Sequence, residues 1–265
     1  MYLKIGQRTF LVLMIGFWAG CSSKENTETT EQGIEEETSP LEFRMTLEHD
    51  SEAFTQGLVY YQDKIIESTG GDNSWIAEYD VISGNYEQKV VLDPMYFGEG
   101  ITILHNKLYQ LTWKSKIGFV YDMPTFEKIG EFTYDFEGWG ITHDNQHLII
   151  SDGTDKLHYF DTLSLQEVYT RSIKNHNRKT SNLNELEFMD GFLYANQWQT
   201  NYVLKIDTAT SEVVQELDLG YLAKEIARKN PQADVLNGIA YNPKTRDVFI
   251  TGKLWPRSFI FRLKK

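Results

Sequence analysis

Five stretches of the chain open alike: Thr55-Gln56-Gly57-Leu58, Gly98-Glu99-Gly100-Ile101, Gly138-Trp139-Gly140-Ile141, Leu183-Asn184-Glu185-Leu186 and Leu236-Asn237-Gly238-Ile239. Their second residues stand 43, 40, 45 and 53 positions apart. A second anchor, where a strand ends in a small or polar pair, follows at Gly70, Trp113, Gly153, Trp198 and Lys253, 14 positions after the first in four units and 16 in the fifth. The two extra positions fall in the turn Asn242 to Asp247. A third anchor, an aromatic or aliphatic residue followed by Asp, closes another strand at Tyr79-Asp80, Tyr121-Asp122, Phe160-Asp161 and Ile206-Asp207. Between the anchors run short alternating segments rich in Val, Ile, Tyr, Phe and Thr, punctuated by Asp-Gly, Ser-Gly and Asn-Pro turns. Four strands per unit of about 45 residues is the pattern of a β-propeller blade.

The arithmetic predicts how the ring shuts. Residues 41–265 divide into five units, and the fifth stops after its third strand, Phe259 to Leu263. Residues 41–49 form an orphan strand ahead of the first unit. The expected fold is therefore all-β, a five-bladed β-propeller closed by pairing of the N-terminal strand with the last blade, which is expected to remove both exposed edges. The long fourth spacing carries a predicted short helix, Tyr221 to Asn230, ended by Pro231.

Ahead of the ring, residues 1–20 read as a signal peptide: Lys4 and Arg8, an apolar run from Phe10 to Trp18, then Ala19-Gly20. The run is too short to span a bilayer. Small residues before the single cysteine, Cys21, resemble a bacterial lipobox, with Trp18 where that pattern usually carries Leu. Lipidation at Cys21 would anchor the protein in a bacterial cell envelope, periplasmic or outward-facing; the alternative is an ordinary signal with an incidental cysteine. Residues 21–40 supply the lipidated Cys and an acidic tether too poor in apolar side chains to fold, leaving 41–265 as the propeller. With 26 Lys and Arg against 38 Asp and Glu, the chain carries a net charge of −12, which disfavours a nucleic-acid partner. One cysteine excludes a disulfide framework and a Cys-rich zinc site.

In a propeller the first strand of each blade lies nearest the axis, so equivalent residues converge at one mouth of the channel. The first-anchor set is Gln56, Glu99, Trp139, Asn184 and Asn237; the strand-end set is Gly70, Trp113, Gly153, Trp198 and Lys253. A purely structural repeat would carry similar small or aliphatic residues at these positions. One carboxylate, one lysine, three tryptophans and three amides instead describe a pocket with apolar walls and convergent polar groups.

The blocks Phe54-Thr55-Gln56-Gly57-Leu58, Phe97-Gly98-Glu99-Gly100-Ile101, Gln110-Leu111-Thr112-Trp113, Glu137-Gly138-Trp139-Gly140, Leu183-Asn184-Glu185-Leu186-Glu187, Asn196-Gln197-Trp198, Leu236 to Tyr241 and Thr251-Gly252-Lys253-Leu254-Trp255-Pro256 resemble the plant and bacterial type of glutaminyl-peptide cyclotransferase (glutaminyl cyclase). The resemblance implies a five-bladed propeller that acts on peptides or proteins with an N-terminal glutamine, forming pyroglutamate and releasing ammonia. It implies functional roles for Phe54, Gln56, Glu99, Trp113, Trp139, Asn184, Trp198 and Lys253.

The chain carries no G-x-S-x-G elbow and no H-E-x-x-H, and cyclisation needs neither, because the substrate's own α-amine is the nucleophile. No cofactor and no metal are expected; His143 and His147 have metal-like spacing but flank a turn signal, Asp144-Asn145, and Asp152 to Asp155 reads as a hairpin turn rather than a calcium loop. On repeat phase and resemblance together, Glu99 is expected to be the proton shuttle, its pKa raised by burial among tryptophans and opposed by Lys253. Lys253 and Asn184 are expected to contact the oxyanion and amide, with Gln56 as a further hydrogen-bond partner. Phe54, Trp113, Trp139 and Trp198 bind the glutamine stem and exclude water. Glu185, next to Asn184, is expected to point to the other face by strand alternation. The competing reading is a non-enzymatic extracytoplasmic propeller that binds peptides or glycans through the same aromatic ring.

Overall fold

A computed structural model describes residues 39–81 and 86–265. The expected signal peptide, Cys21 and the tether up to residue 38 lie outside the described residues.

The predicted repeat appears as five antiparallel sheets. After β1 (Leu41–Glu48), the first blade is β2 (Thr55–Tyr61), β3 (Lys64–Thr69), β4 (Trp75–Asp80) and β5 (Tyr86–Val91). The second is β6 (Gly98–Leu104), β7 (Lys107–Thr112), β8 (Ile117–Asp122) and β9 (Lys128–Thr133); the third is β10 (Ile141–His143), β11 (His147–Ser151), β12 (Lys156–Asp161) and β13 (Glu167–Ser172). A small hairpin, β14 (Lys174–Asn175) and β15 (Arg178–Lys179), precedes the fourth blade, β16 (Leu183–Met189), β17 (Phe192–Gln197), β18 (Tyr202–Asp207) and β19 (Glu212–Asp218). Helix α1 (Gly220–Lys229) follows, and the last blade is β20 (Leu236–Asn242), β21 (Asp247–Gly252) and β22 (Arg257–Leu263).

Closure follows the predicted pairing: β1 lies antiparallel to β22, with Leu41 opposite Leu263 and Glu48 opposite Arg257. One expectation fails. The pairing covers the edge of β22, but β1 becomes the outermost strand of the last blade, and its far edge has no strand partner among the described residues. Closure thus joins the two chain ends without removing the outer edges that every blade keeps. The β14–β15 hairpin is likewise new. It extends the fourth sheet outward through a parallel contact of Lys174 with Glu212, on strands too short to announce themselves by alternation.

Burial grades outward along each blade. The inner strands β2, β6 and β20 are almost wholly buried, whereas β5, β9 and β13 are mostly exposed. Apolar clusters fill the gaps between neighbouring blades, for example Ile66, Ile76, Leu108 and Phe119 between the first and second. Leu222 and Ile226 of α1 are buried in the largest, between the fourth and fifth. The closing interface between the last and first blades is the sparsest, with Leu58, Ile65, Ala240, Phe249 and Ile260. Beside it lies a cavity of about 240 Å³ whose walls include Leu47, Tyr79, Tyr86 and Phe249.

Candidate active site

The inner strands lose register with their neighbours at equivalent places: between Thr55 and Gly57, Gly98 and Ile101, Leu183 and Leu186, and Leu236 and Ile239. In the third blade the ladder starts only at Ile141, and Trp139 is held just before it by its N–H donating to Ser151 O at 3.0 Å. Such a bulge leaves a residue outside the ladder and re-aims its side chain. The residues so placed are Gln56, Glu99, Trp139, Asn184 and Asn237, the whole first-anchor set.

Bonds between blades fix these bulges around the ring. The Ser68 hydroxyl donates to Glu99 O at 2.7 Å, Gly100 N–H to Trp139 O at 2.8 Å, and the Ser151 hydroxyl to Asn184 O at 2.7 Å. Gly238 N–H donates to Asn196 Oδ1 at 2.9 Å, and Asn237 Nδ2 to Thr55 O at 3.0 Å, completing the circuit. The strands approach so closely that a Cβ on Gly140 would stand 2.1 Å from Asn184 O, and one on Gly100 2.8 Å from Trp139 O. Glycine at Gly100 and Gly140 is therefore required by the close approach of neighbouring inner strands.

The floor of the mouth is polar and buried: Gln56, Glu99, Asn184 and Lys253 are each 3–4% exposed, and Asn237 is fully buried. Asn237 Nδ2 also reaches Gln56 Oε1 at 3.5 Å, tying the last blade to the first. The amide oxygens of Asn184 and Asn237 have no hydrogen-bond partner. Burial pushes the Glu99 carboxyl well above the usual carboxylate range; Lys253 pulls it down, and the charge of Glu137 adds to the rise. Burial lowers the Lys253 ammonium, which Glu99 and Asp234 partly restore. The two groups feel each other's field, and no direct ion pair joins them among the described residues.

The rim is aromatic and half-buried. Lys253 Nζ lies 4.6 Å from the centre of the Phe54 ring. Phe54 meets Phe97 edge-on at 6.2 Å, and Phe97 meets Trp113 at 5.6 Å. Trp139 and Trp198 cross at 5.4 Å and 89°. Glu137 joins the two halves of this arc: its Oε2 accepts the indole N–H of Trp113 at 2.7 Å and that of Trp139 at 3.3 Å. Gly70 and Gly153 of the strand-end set carry no side chain because aromatic rings occupy that space. A Cβ there would stand 2.2 Å from Phe97 and 2.6 Å from Trp139, respectively.

All eight residues expected from the sequence thus gather at one end of the ring. Glu185 departs from the alternation rule, because the bulge interrupts it. Its carboxylate lies at the ring's centre, accepting N–H bonds from Ile239 at 2.9 Å and Leu58 at 3.4 Å, in two other blades. Phe97 and Glu137 were not among the expected residues. Their signal is positional: with Phe54, they stand two residues before the bulge in the first three units. His143 and His147 flank the β10–β11 turn, and among the described residues no group of three His, Cys, Asp or Glu is placed to hold a metal ion.

Comparison with known proteins agrees with this architecture. The family model described as glutamine cyclotransferase matches residues 12–263. A glutaminyl-peptide cyclotransferase of Arabidopsis thaliana is 34% identical over 222 residues, spanning 82% of this chain and 69% of the plant protein. The crystal structure of Myxococcus xanthus glutaminyl cyclase superposes with a TM-score of 0.77 at 34% identity, covering 84% of this chain and 96% of that one. A closed five-bladed ring, a mouth built from its inner-strand bulges and a match running through every blade lead to one statement: the chain belongs to the glutamine cyclotransferase family.

Proposed function

We propose that the protein is a glutaminyl-peptide cyclotransferase, converting the N-terminal glutamine of peptides and proteins to pyroglutamate with release of ammonia. The observation that carries the mechanism is the floor itself: a buried carboxyl, a buried ammonium not paired to it and an unpartnered amide oxygen, all beneath an aromatic rim.

The α-amine nitrogen attacks the γ-amide carbon, one C–N bond forms, and the bond to the departing nitrogen breaks. Folding the glutamine stem against Phe54, Trp113, Trp139 and Trp198 brings the two ends together, and well-oriented intramolecular attack gains effective molarities of about 10⁵ M or more. Glu99 takes the proton that the attacking nitrogen loses and gives it to the leaving nitrogen, so its own proton count is unchanged over a turnover. A free α-amine titrates near about 8. Burial raises the Glu99 carboxyl, which narrows the gap between the two groups and favours general acid–base exchange. Lys253 stabilises the oxyanion, Asn184 Oδ1 accepts a substrate N–H, and Gln56 supplies a further hydrogen bond.

Incubating the 41–265 fragment with Gln-Ala and Glu-Ala dipeptides and measuring ammonia tests this reading; release from Gln-Ala alone is expected. Glu99→Gln should remain folded and lose about 10²-fold or more in turnover. A folded Glu99→Gln protein with full turnover rejects the shuttle, and a wild type that binds Gln-peptides without releasing ammonia leaves the binding propeller as the better reading. The N-terminal pattern extends the proposal to location: acylation of Cys21 tethers the enzyme to a membrane of the cell envelope. Fatty-acid labelling that persists in Cys21→Ser would overturn that assignment.

A further inference from the structure

Glu137 lies in the connection between β9 and β10, immediately before Gly138 and the Trp139 bulge. Its backbone has little freedom. Gly138 N–H donates to Trp113 O at 3.4 Å, and a Cβ on Gly138 would stand 2.6 Å from the Tyr134 hydroxyl, which itself donates to Thr112 O at 2.6 Å. One carboxylate oxygen takes both indole N–H groups, from tryptophans in two different blades, while the other makes no hydrogen bond within the described residues. Bonds to a charged acceptor are roughly twice as strong as neutral ones, so the pair constrains both rings.

We propose that Glu137 is a positioning residue for the cyclisation: by accepting both indole N–H groups it holds the Trp113 and Trp139 walls in register across two blades. The inference rests on the cyclotransferase reading above and extends it to a residue that need not touch the reacting atoms. Glu137→Gln keeps an acceptor oxygen for the indoles but removes the charge. Glu137→Ala removes both.

The test is the split between kcat and KM for a Gln-peptide in wild type and the two variants. In Glu137→Gln, KM stays near the wild-type value, because the amide oxygen still accepts from the indoles. Glu137→Ala raises KM roughly tenfold, the loss expected for a hydrogen bond that fixes the walls, with a smaller change in kcat. A Glu137→Gln variant that loses as much as Glu137→Ala overturns the proposal, as does an Ala variant with unchanged KM. Should the Ala variant fail to fold, Glu137→Leu, of similar bulk and with no acceptor, takes its place with the same expected outcome. A wild type that releases no ammonia defeats the cyclotransferase reading itself; an active wild type with unchanged KM in the variants lacking the acceptor defeats this inference alone.

Discussion

Two buried polar clusters lie within this ring, and they are built on opposite principles. In the closing interface, His49 Nδ1 donates to Trp255 O at 2.6 Å and Nε2 to Glu67 Oε1 at 3.1 Å, while the Thr55 hydroxyl donates to the same Glu67 oxygen at 2.6 Å. Both ring nitrogens and both carboxylate oxygens there have partners. At the mouth, Asn184 and Asn237 keep unpartnered amide oxygens, and Glu99 and Lys253 stand unpaired. Leaving buried polar atoms unsatisfied costs stability, and that cost is recovered when a ligand brings the missing donors and acceptors. The satisfied cluster holds blades together; the unsatisfied one is where the proposed substrate would supply the missing partners.

Substitutions should separate the two clusters cleanly. Lys253→Met should give the largest effect, a loss of about 10²–10³ in kcat as the oxyanion loses its cation, with Tm held or raised because a desolvated charge is gone; ammonia release beside a thermal melt measures both. His49→Ala should behave oppositely. Breaking a buried charge pair costs about 3 kcal/mol, a Tm drop of roughly 6–12 °C, while turnover of the folded fraction changes far less than in Lys253→Met. Burial pulls the His49 pKa down, but the charge and hydrogen bond of Glu67 raise it overall. The advantage of the pair is therefore complete below about 6.5 and fades as pH rises through the raised value.

Gly153→Ala sharpens the comparison on the rim. Gly153 has φ of 76°, and its added Cβ would stand 2.6 Å from the Trp139 ring. Displacing that wall should raise KM by roughly tenfold, with a modest stability cost of about 1–2 kcal/mol for the backbone strain. The last effect, read only as a change in pH dependence, concerns the ring's centre. Burial pushes the Glu187 carboxyl up to about 8, against the Tyr241 N–H bond that favours its charge. The folded chain keeps that proton to about pH 8 while the unfolded chain releases it near 4.5, so stability falls as pH rises across that window. Glu187→Gln should lessen the fall in Tm between pH 5 and pH 8.5 without abolishing it, because Glu185 and Glu99 are raised in the same direction.

The blades were legible because the start of the first strand and the ends of the second and third carry repeated chemical marks. The third anchor shows why: Asp161 and Asp207 close β12 and β18 and accept N–H bonds from the turns that follow, so a local bond recurs as a sequence signature. Helix α1 was legible from the long fourth spacing and the proline after it, to within one residue at each end. Position in the repeat likewise carried Glu99 and Lys253, 154 residues apart in the chain, to the same mouth. What escaped was set by contacts with no period. Glu185 acquires its place from backbone amides across the ring, and the bonds of Glu137 to two indoles lie behind a positional mark that only the first three units share. Alternation fails at Glu185 because a bulge changes the parity of every residue after it, and parity cannot be read through a bulge that pattern alone does not locate.

The pairing of Leu41 with Leu263 has a consequence for how the molecule is made. The first strand of the ring to leave the ribosome must wait for the last before it finds its neighbour, so blade by blade the nascent protein is an open arc. Contacts of such long sequence separation form late and slowly, and until then β22's future partner is exposed to other chains. A product released short of Phe259 would lack the strand that β1 needs, however complete its first four blades.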